Sequence, residues 1–287
     1  MARKIPLAPM RIDPGFAVAV VRSTSTFLGI DGVIALFGSL EILLLSRFAN
    51  EADVGIFSAA FQVLLPVTLL IQNVVVSVFP IMSRHFRSNH QDLKRVAQEL
   101  VGLLLAVALP AAIAVFCAAD WVLWILYGGR VQAAATPLRI LVWCIVLRAV
   151  TAALGQLLMA SQRERVTLRI VSIDALTSFT VGLILIPHFG VVGAAVTALT
   201  TRCVDLVQHV IPVTRLLSGF ALSRLGWTAL VASMCMAVWV AVVPNQIPIL
   251  TLLTGGLVYA SVLLGLMIWA SGGLRQLRTT SMRLWTE

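Results

Sequence analysis

The sequence predicts an all-α, polytopic membrane helix bundle of about eight transmembrane helices with both termini cytoplasmic. Three observations predict it. Of 287 residues, 60% are hydrophobic and only 11% charged, where a soluble domain carries about a quarter charged residues. The mean hydropathy is +0.99. The apolar residues gather into eight long stretches, each near or above the roughly 20 residues that cross a bilayer as a helix.

The stretches run over 25–47, 54–82, 98–119, 136–160, 167–187, 191–214, 225–243 and 249–270. All read as helices, because they are long, lack two-residue alternation and are broken mainly by proline, glycine and charge; in lipid only helices and closed barrels satisfy their own backbone polar groups. The first 25 residues contain Pro6, Pro9 and Pro14 and do not read as a cleavable signal peptide, so insertion is expected to begin with the first span. The expected organisation is a cytoplasmic segment 1–24, a six-helix lobe 25–216, two trailing helices within 217–272 and a cytoplasmic tail 273–287.

A formal net charge of +9 would suggest a nucleic-acid partner in a soluble protein, but here the basic residues fall in alternate gaps. Arg3, Lys4, Arg11 and Arg22 precede the first span, and Arg84, Arg87, Lys94 and Arg95 follow the second. Arg163 and Arg165 follow the fourth, Arg215 and Arg224 separate the sixth and seventh, and Arg275, Arg278 and Arg283 close the chain. The intervening gaps hold little positive charge beyond Arg47 and Arg130, and they carry Glu51, Asp53 and Asp120. The positive-inside rule then places both termini in the cytoplasm. No basic stripe is interleaved with stacking aromatics, so no nucleic-acid partner is expected.

Two connections have character of their own. From Arg84 to Glu99 the pattern of Asp92, Lys94, Arg95 and Gln98 fits a short helix lying on the cytoplasmic surface; the plainer reading is a basic loop touching anionic headgroups. From Asp120 to Pro137 the run WVLWILYGGR is too short to span; Trp121, Trp124 and Tyr127 suit the headgroup level, and Gly128 and Gly129 let the chain turn back. Two hairpins, 43–64 and 183–199, echo one another weakly, as repeats in transporters do. In the second, Gly190, Gly193, Ala194 and Ala195 let two helices approach closely. Cys117, Cys144, Cys203 and Cys235 are scattered singly and read as small apolar packers.

Charged side chains inside spans are the candidate site residues, because each costs at least about 2.5–3.5 kcal/mol at mid-bilayer unless it faces a bundle interior or a water-filled cavity. They are Asp31 and Glu41 in the first span, Arg148 in the fourth, Asp174 in the fifth, and Arg202 and Asp205 in the sixth. Arg202 and Asp205, three apart on one face, can instead neutralise each other. Glu41 and Arg47 lie near a span end, where snorkelling is cheap. His209 reads as a packing histidine, and Arg139 and Arg169 as interface anchors. Asp31, Arg148 and Asp174 have no obvious partner on their own spans. There is no glycine-rich phosphate loop, no metal-binding histidine pair and no nucleophile elbow; neither enzymatic activity, cofactor nor metal is expected.

Three blocks carry a family resemblance: EILLLSRFANEADVGIFSAAFQVLLPVTLLIQNVVVSVFPIMSRHF (41–86), YGGRVQAAATPLRILVW (127–143) and LILIPHFGVVGAAVTALTTR (183–202). In order and spacing the chain resembles, from about residue 25 onward, the C-terminal half of the polysaccharide flippases of the multidrug, oligosaccharidyl-lipid and polysaccharide exporter superfamily. The most specific pieces are VGIFSAA, FPIMSR and IPHFGVVGAA. The resemblance implies alternating-access translocation of undecaprenyl-linked oligosaccharide across the bacterial inner membrane for polysaccharide or lipopolysaccharide synthesis, with the substrate and the lipid bilayer as partners. It further implies that Arg148 and Arg202 face the phosphates, while Asp31, Glu41, Asp174 and Asp205 tune the cavity or carry coupled protons. Family members have two six-helix lobes, often with two further helices, and only the second lobe and trailing pair are matched. The implied forms are a split transporter with a separate N-terminal-half subunit, a dimerising half-size transporter, or a truncated half that does not transport. A lipid II flippase or an ion-coupled drug exporter of the same superfamily are the alternative activities.

Overall fold

The computed structural model describes residues 25, 28–34, 38–88, 90–217, 223–243 and 248–270. The expected N-terminal segment 1–24 and tail 273–287 lie outside them. Helical residues 28–34 are followed by α1 (Leu40–Phe48), α2 (Glu51–Ser88), α3 (His90–Cys117), α4 (Ala119–Tyr127), a 3-10 segment (Gly128–Ala134), α5 (Ala135–Ala160), α6 (Glu164–Leu216), α7 (Arg224–Val242) and α8 (Pro248–Ala270). The chain is an all-α membrane bundle, with no strand among the described residues. Among the described residues, six helices are long and apolar enough to cross a bilayer.

One of those six is two spans in one. The 53-residue α6 leaves helical geometry at Gly190, with φ 52° and ψ −126°, a conformation that suits glycine because it has no Cβ to clash with the following carbonyl. Here the chain doubles back, and arms 164–189 and 191–216 run antiparallel. The fold of the arms depends on Gly193, where a Cβ would land on the Leu185 carbonyl oxygen, and Ala194 and Ala195 are completely buried. Where lipid supplies no hydrophobic force between helices, such small residues let backbones pack at van der Waals range. The fifth and sixth predicted spans are these two arms.

The bundle is built around α5, which packs against α2, α3 and α6. Leu138, Leu141, Val142, Ile145, Ala149, Ala153, Leu154, Leu157 and Leu158 are buried over most of its circumference, while Trp143 is exposed. The outer helices are inverted relative to a soluble protein, with Leu69, Leu176, Ile184, Val207, Leu257 and Trp269 exposed to the apolar solvent that their composition demands. Helix α1 leans on α6, and Leu44 sits 2.7 Å from where a Cβ on Gly182 would be.

The α7–α8 pair joins the rest mainly through α3. Ser223 caps α7 by accepting from the Gly226 amide at 3.2 Å, and Gly102 of α3 leaves room for that cap, since a Cβ there would meet the Ser223 hydroxyl. The Tyr259 hydroxyl of α8 donates to the Ala106 carbonyl of α3 at 2.6 Å. That carbonyl lies four residues before Pro110, which has no amide to bond it.

Two expectations need correction. The first span is not one continuous helix over 25–47: helical residues 28–34 and α1 are separated at Gly38–Ser39, where Gly38 N still donates to Ile34 O at 2.7 Å but Ser39 leaves helical geometry at φ −124°, ψ 24°. Nor does 84–99 form a separate surface helix. Its residues continue α2 to Ser88 and begin α3 at His90, because Pro80 does not end α2 and exposed side chains such as Arg95 and Glu99, paired at 3.1 Å, support helix outside the apolar core. In the aromatic 120–137 stretch α4 is too short to span, as expected, Trp124, Ile125 and Leu126 are exposed, and Gly128 turns the chain with φ 65°.

Candidate functional site

Helical spacing gathers polar residues, with small and apolar ones among them, onto facing stripes. On α5 they are Arg148, Thr151, Ala152 and Gly155; on the first arm of α6, Thr167, Val171, Asp174 and Ser178; on the second arm, Thr201, Arg202, Asp205 and His209. Residues three and four apart share a helix face, so each stripe points one way. With Glu41 of α1 and Gln72 of α2 they line a cavity of about 420 Å³ within the bundle, inside the range of roughly 300–1,000 Å³ usual for ligand sites.

Asp205 is the hub. Its carboxylate lies 3.5 Å from the Arg202 guanidinium and 2.7 Å from His209 Nδ1, and the Thr151 hydroxyl also reaches it. Asp205 and His209 are 4% and 7% exposed, so their neighbours must satisfy them. The expected Arg202–Asp205 pair is therefore present, but it is one contact of a larger cluster. Across the hairpin, Gln208 donates to Asp174 at 3.0 Å. Ser178 donates to Glu41 at 2.9 Å, tying α1 to α6, so Glu41 is engaged within the bundle and not snorkelling.

Arg148 is committed least. Its Nε is buried and has no hydrogen-bond partner, and the Thr167 hydroxyl, lining the same cavity, is likewise without one. A buried donor left unsatisfied costs about 1–3 kcal/mol, more when charged, and such a group is poised for a ligand that supplies the acceptor.

The structure thus brings together five of the six candidates, Glu41, Arg148, Asp174, Arg202 and Asp205. It leaves Asp31 apart: Val33 and Ile34 of the same helical stretch line the cavity, but Asp31 is exposed and does not, because it lies on another face of that stretch. His209 belongs to the site and not merely to the packing. Its position seven residues after Arg202 and four after Asp205 on one face was the available signal; Gly155 gives it room, since a Cβ there would come within 3.1 Å of His209 Nε2. Arg139 pairs with Asp120 at 2.5 Å, outside this cavity, and Arg47 is exposed. Among the described residues no group of three His, Cys, Asp or Glu is arranged to hold a metal ion.

Residues 7–136 match the family model of a polysaccharide biosynthesis protein. The chain is 26% identical over 200 residues to a probable low-salt glycan biosynthesis flippase, Agl15, of Haloferax volcanii, covering 69% of this chain and 42% of that protein. Its fold is similar to that of the lipid II flippase MurJ in an inward closed conformation, with TM-score 0.66 and 13% identity over 87% of this chain and 53% of the other. A MOP superfamily transporter from Pyrococcus furiosus, whose binding pocket is described as reversed in polarity, gives TM-score 0.61 and 17% identity over 77% of this chain and 53% of the other. An outward-facing multidrug resistance MATE family transporter of the MOP superfamily gives 0.61 and 17%, over 86% and 64%. The chain spans about half the length of the relatives it matches.

Proposed function

We propose a transport function, since in sequence and fold together the chain falls with the polysaccharide flippases of the MOP superfamily: it holds the phosphate-bearing headgroup of a polyprenyl-linked oligosaccharide while the glycan crosses the bilayer. The observation that carries this reading is Arg148, a guanidinium inside the bundle whose Nε has no partner and which lines the same cavity as Arg202. Arginine presents a planar fork of donors matched to phosphate oxygens. In low dielectric, an anionic headgroup between Arg148 and Arg202 relieves the unsatisfied donor and competes with Asp205 for Arg202; Asp205 then keeps His209 and Thr151 as partners.

In its finer form the carrier is undecaprenyl, the membrane is the bacterial inner membrane, and the product is a polysaccharide or lipopolysaccharide. A second lobe completes the cavity, supplied by a second copy, another subunit or further sequence of the same polypeptide. The test is glycan export in cells carrying Arg148→Ala or Arg202→Ala at normal expression and insertion. Export is expected to fall at least tenfold, the equivalent of about 1.4 kcal/mol for one charge-assisted hydrogen bond. Normal export by both variants overturns the assignment.

One observation favours a second reading. Carboxylates (Glu41, Asp174, Asp205) outnumber guanidiniums (Arg148, Arg202) in the cavity, a balance that suits export of an organic cation. Export of cationic dyes lost in Asp174→Asn, with glycan export intact, selects that reading.

A further inference from the structure

Beyond the charged cavity, toward the α5–α6 connection, lies a second hollow of about 370 Å³, bounded by Phe79, Ser83 and Phe86 of α2, Gln156 of α5, and Gln162 and Glu164. Gln156 lines both hollows, so they adjoin along the bundle axis. The second has a different chemistry. It contains two aromatic rings, two amides, one hydroxyl and one carboxylate, and no lysine or arginine.

Gln162 is held there against its backbone preference. The Gln162 amide donates to Met159 O at 3.1 Å and the Arg163 amide to Leu158 O at 3.0 Å, a Schellman closure of α5 whose left-handed position is ordinarily glycine. Here φ is 57° on a glutamine. Strained non-glycine residues concentrate where the side chain is used, and this one lines the hollow. Among the described residues, Ser83, Gln156, Gln162 and Glu164 spend no side-chain atom on a hydrogen bond or ion pair within the protein.

We propose that this hollow is a sugar subsite, taking a pyranose ring of the lipid-linked glycan whose phosphates face Arg148 and Arg202; the inference rests on the substrate reading above. Amides both donate and accept, matching hydroxyls that do the same. Phe79 and Phe86 add apolar lining that suits the C–H face of a ring. A phosphate is disfavoured by Glu164 and the lack of cations, and an acyl chain by the uncommitted polar groups. The subsite is a specificity determinant: a site built to bond hydroxyls discriminates against a ligand that lacks them.

The test uses the full chain in lipid nanodiscs and two kinds of probe: farnesyl diphosphate, and the same lipid carrying one glucose or one N-acetylglucosamine. The sugar-bearing probe is expected to bind about tenfold tighter than the bare diphosphate, the yield of roughly one net hydrogen bond. Gln162→Gly, which suits the left-handed backbone and is expected to unfold no earlier than the parent, abolishes that gain and leaves farnesyl diphosphate affinity unchanged. Ser83→Ala, lacking one oxygen, reduces the gain in the same direction. Equal binding of sugar-bearing and bare probes by the parent, or a full gain retained in Gln162→Gly, overturns the subsite while the phosphate reading stands. Binding of neither probe overturns both.

Discussion

Pro110 deprives the Ala106 carbonyl of its helical donor, and Tyr259 supplies another from a different helix at 2.6 Å. In lipid no water replaces a missing partner, so Tyr259→Phe is expected to destabilise the bundle by about 1 kcal/mol, given that measured hydrogen bonds between membrane helices are modest. Unfolding in mixed micelles measures this, and an unchanged midpoint counts against the bond. Conversely, Gln162→Gly relieves a left-handed residue that costs about 1–2 kcal/mol and should raise the midpoint. At this scale, residues on one helix were legible and residues on different helices were not. Arg202 with Asp205 followed from spacing, and His209 was within reach of the same rule. The Asp174–Gln208 and Glu41–Ser178 bonds join positions 34 and 137 residues apart, and no single-helix pattern encodes which faces meet. Asp31 was misplaced because hydropathy does not say which face of a helical stretch looks inward: Val33 and Ile34 line the cavity and Asp31 does not.

Among the elements, the α6 hairpin is set by two glycines with different duties. Gly190 supplies a positive φ, and Gly193 supplies an absent Cβ beside the Leu185 carbonyl. Gly193→Val is expected to force the arms apart and cost about 1–3 kcal/mol, in the range of overpacked cores. Small residues following an apolar run announced this turn in the sequence, as Gly128 did for the turn after α4. The extension of α2 and α3 beyond the apolar core was not legible, because hydropathy marks where lipid ends and says little about where helix ends. The hairpin also fixes a sidedness that chemical labelling reads. With the four native cysteines replaced, His188→Cys should react with an impermeant thiol reagent from outside the cell. Arg163→Cys should react only after permeabilisation, as the basic loops require. The opposite pattern inverts the expected orientation.

For the whole molecule, an apolar exterior and a polar interior seam follow from one constraint, that each ionisable group in lipid needs a partner or a cavity. The number and approximate limits of most spans were legible because composition alone carries that constraint. The identity of the seam was not, because it depends on which stripes of α5 and α6 face each other. Native mass spectrometry after mild extraction bears on the second lobe: a stable dimer or a complex with another helical subunit is expected, and a lone monomer removes that part of the proposal.

The doubling-back at Gly190 has a consequence for how the chain is made. The second arm of α6 carries Arg202 and Asp205, which pair with each other, but the first carries Asp174, so the first arm released alone into lipid would bear the penalty of an unshielded charge. Asp174 meets Gln208 only once the second arm has emerged. The cheapest route out of the insertion machinery is for both arms to wait in its aqueous channel and leave together, so that α6 is a unit of biogenesis before it becomes the wall of a cavity.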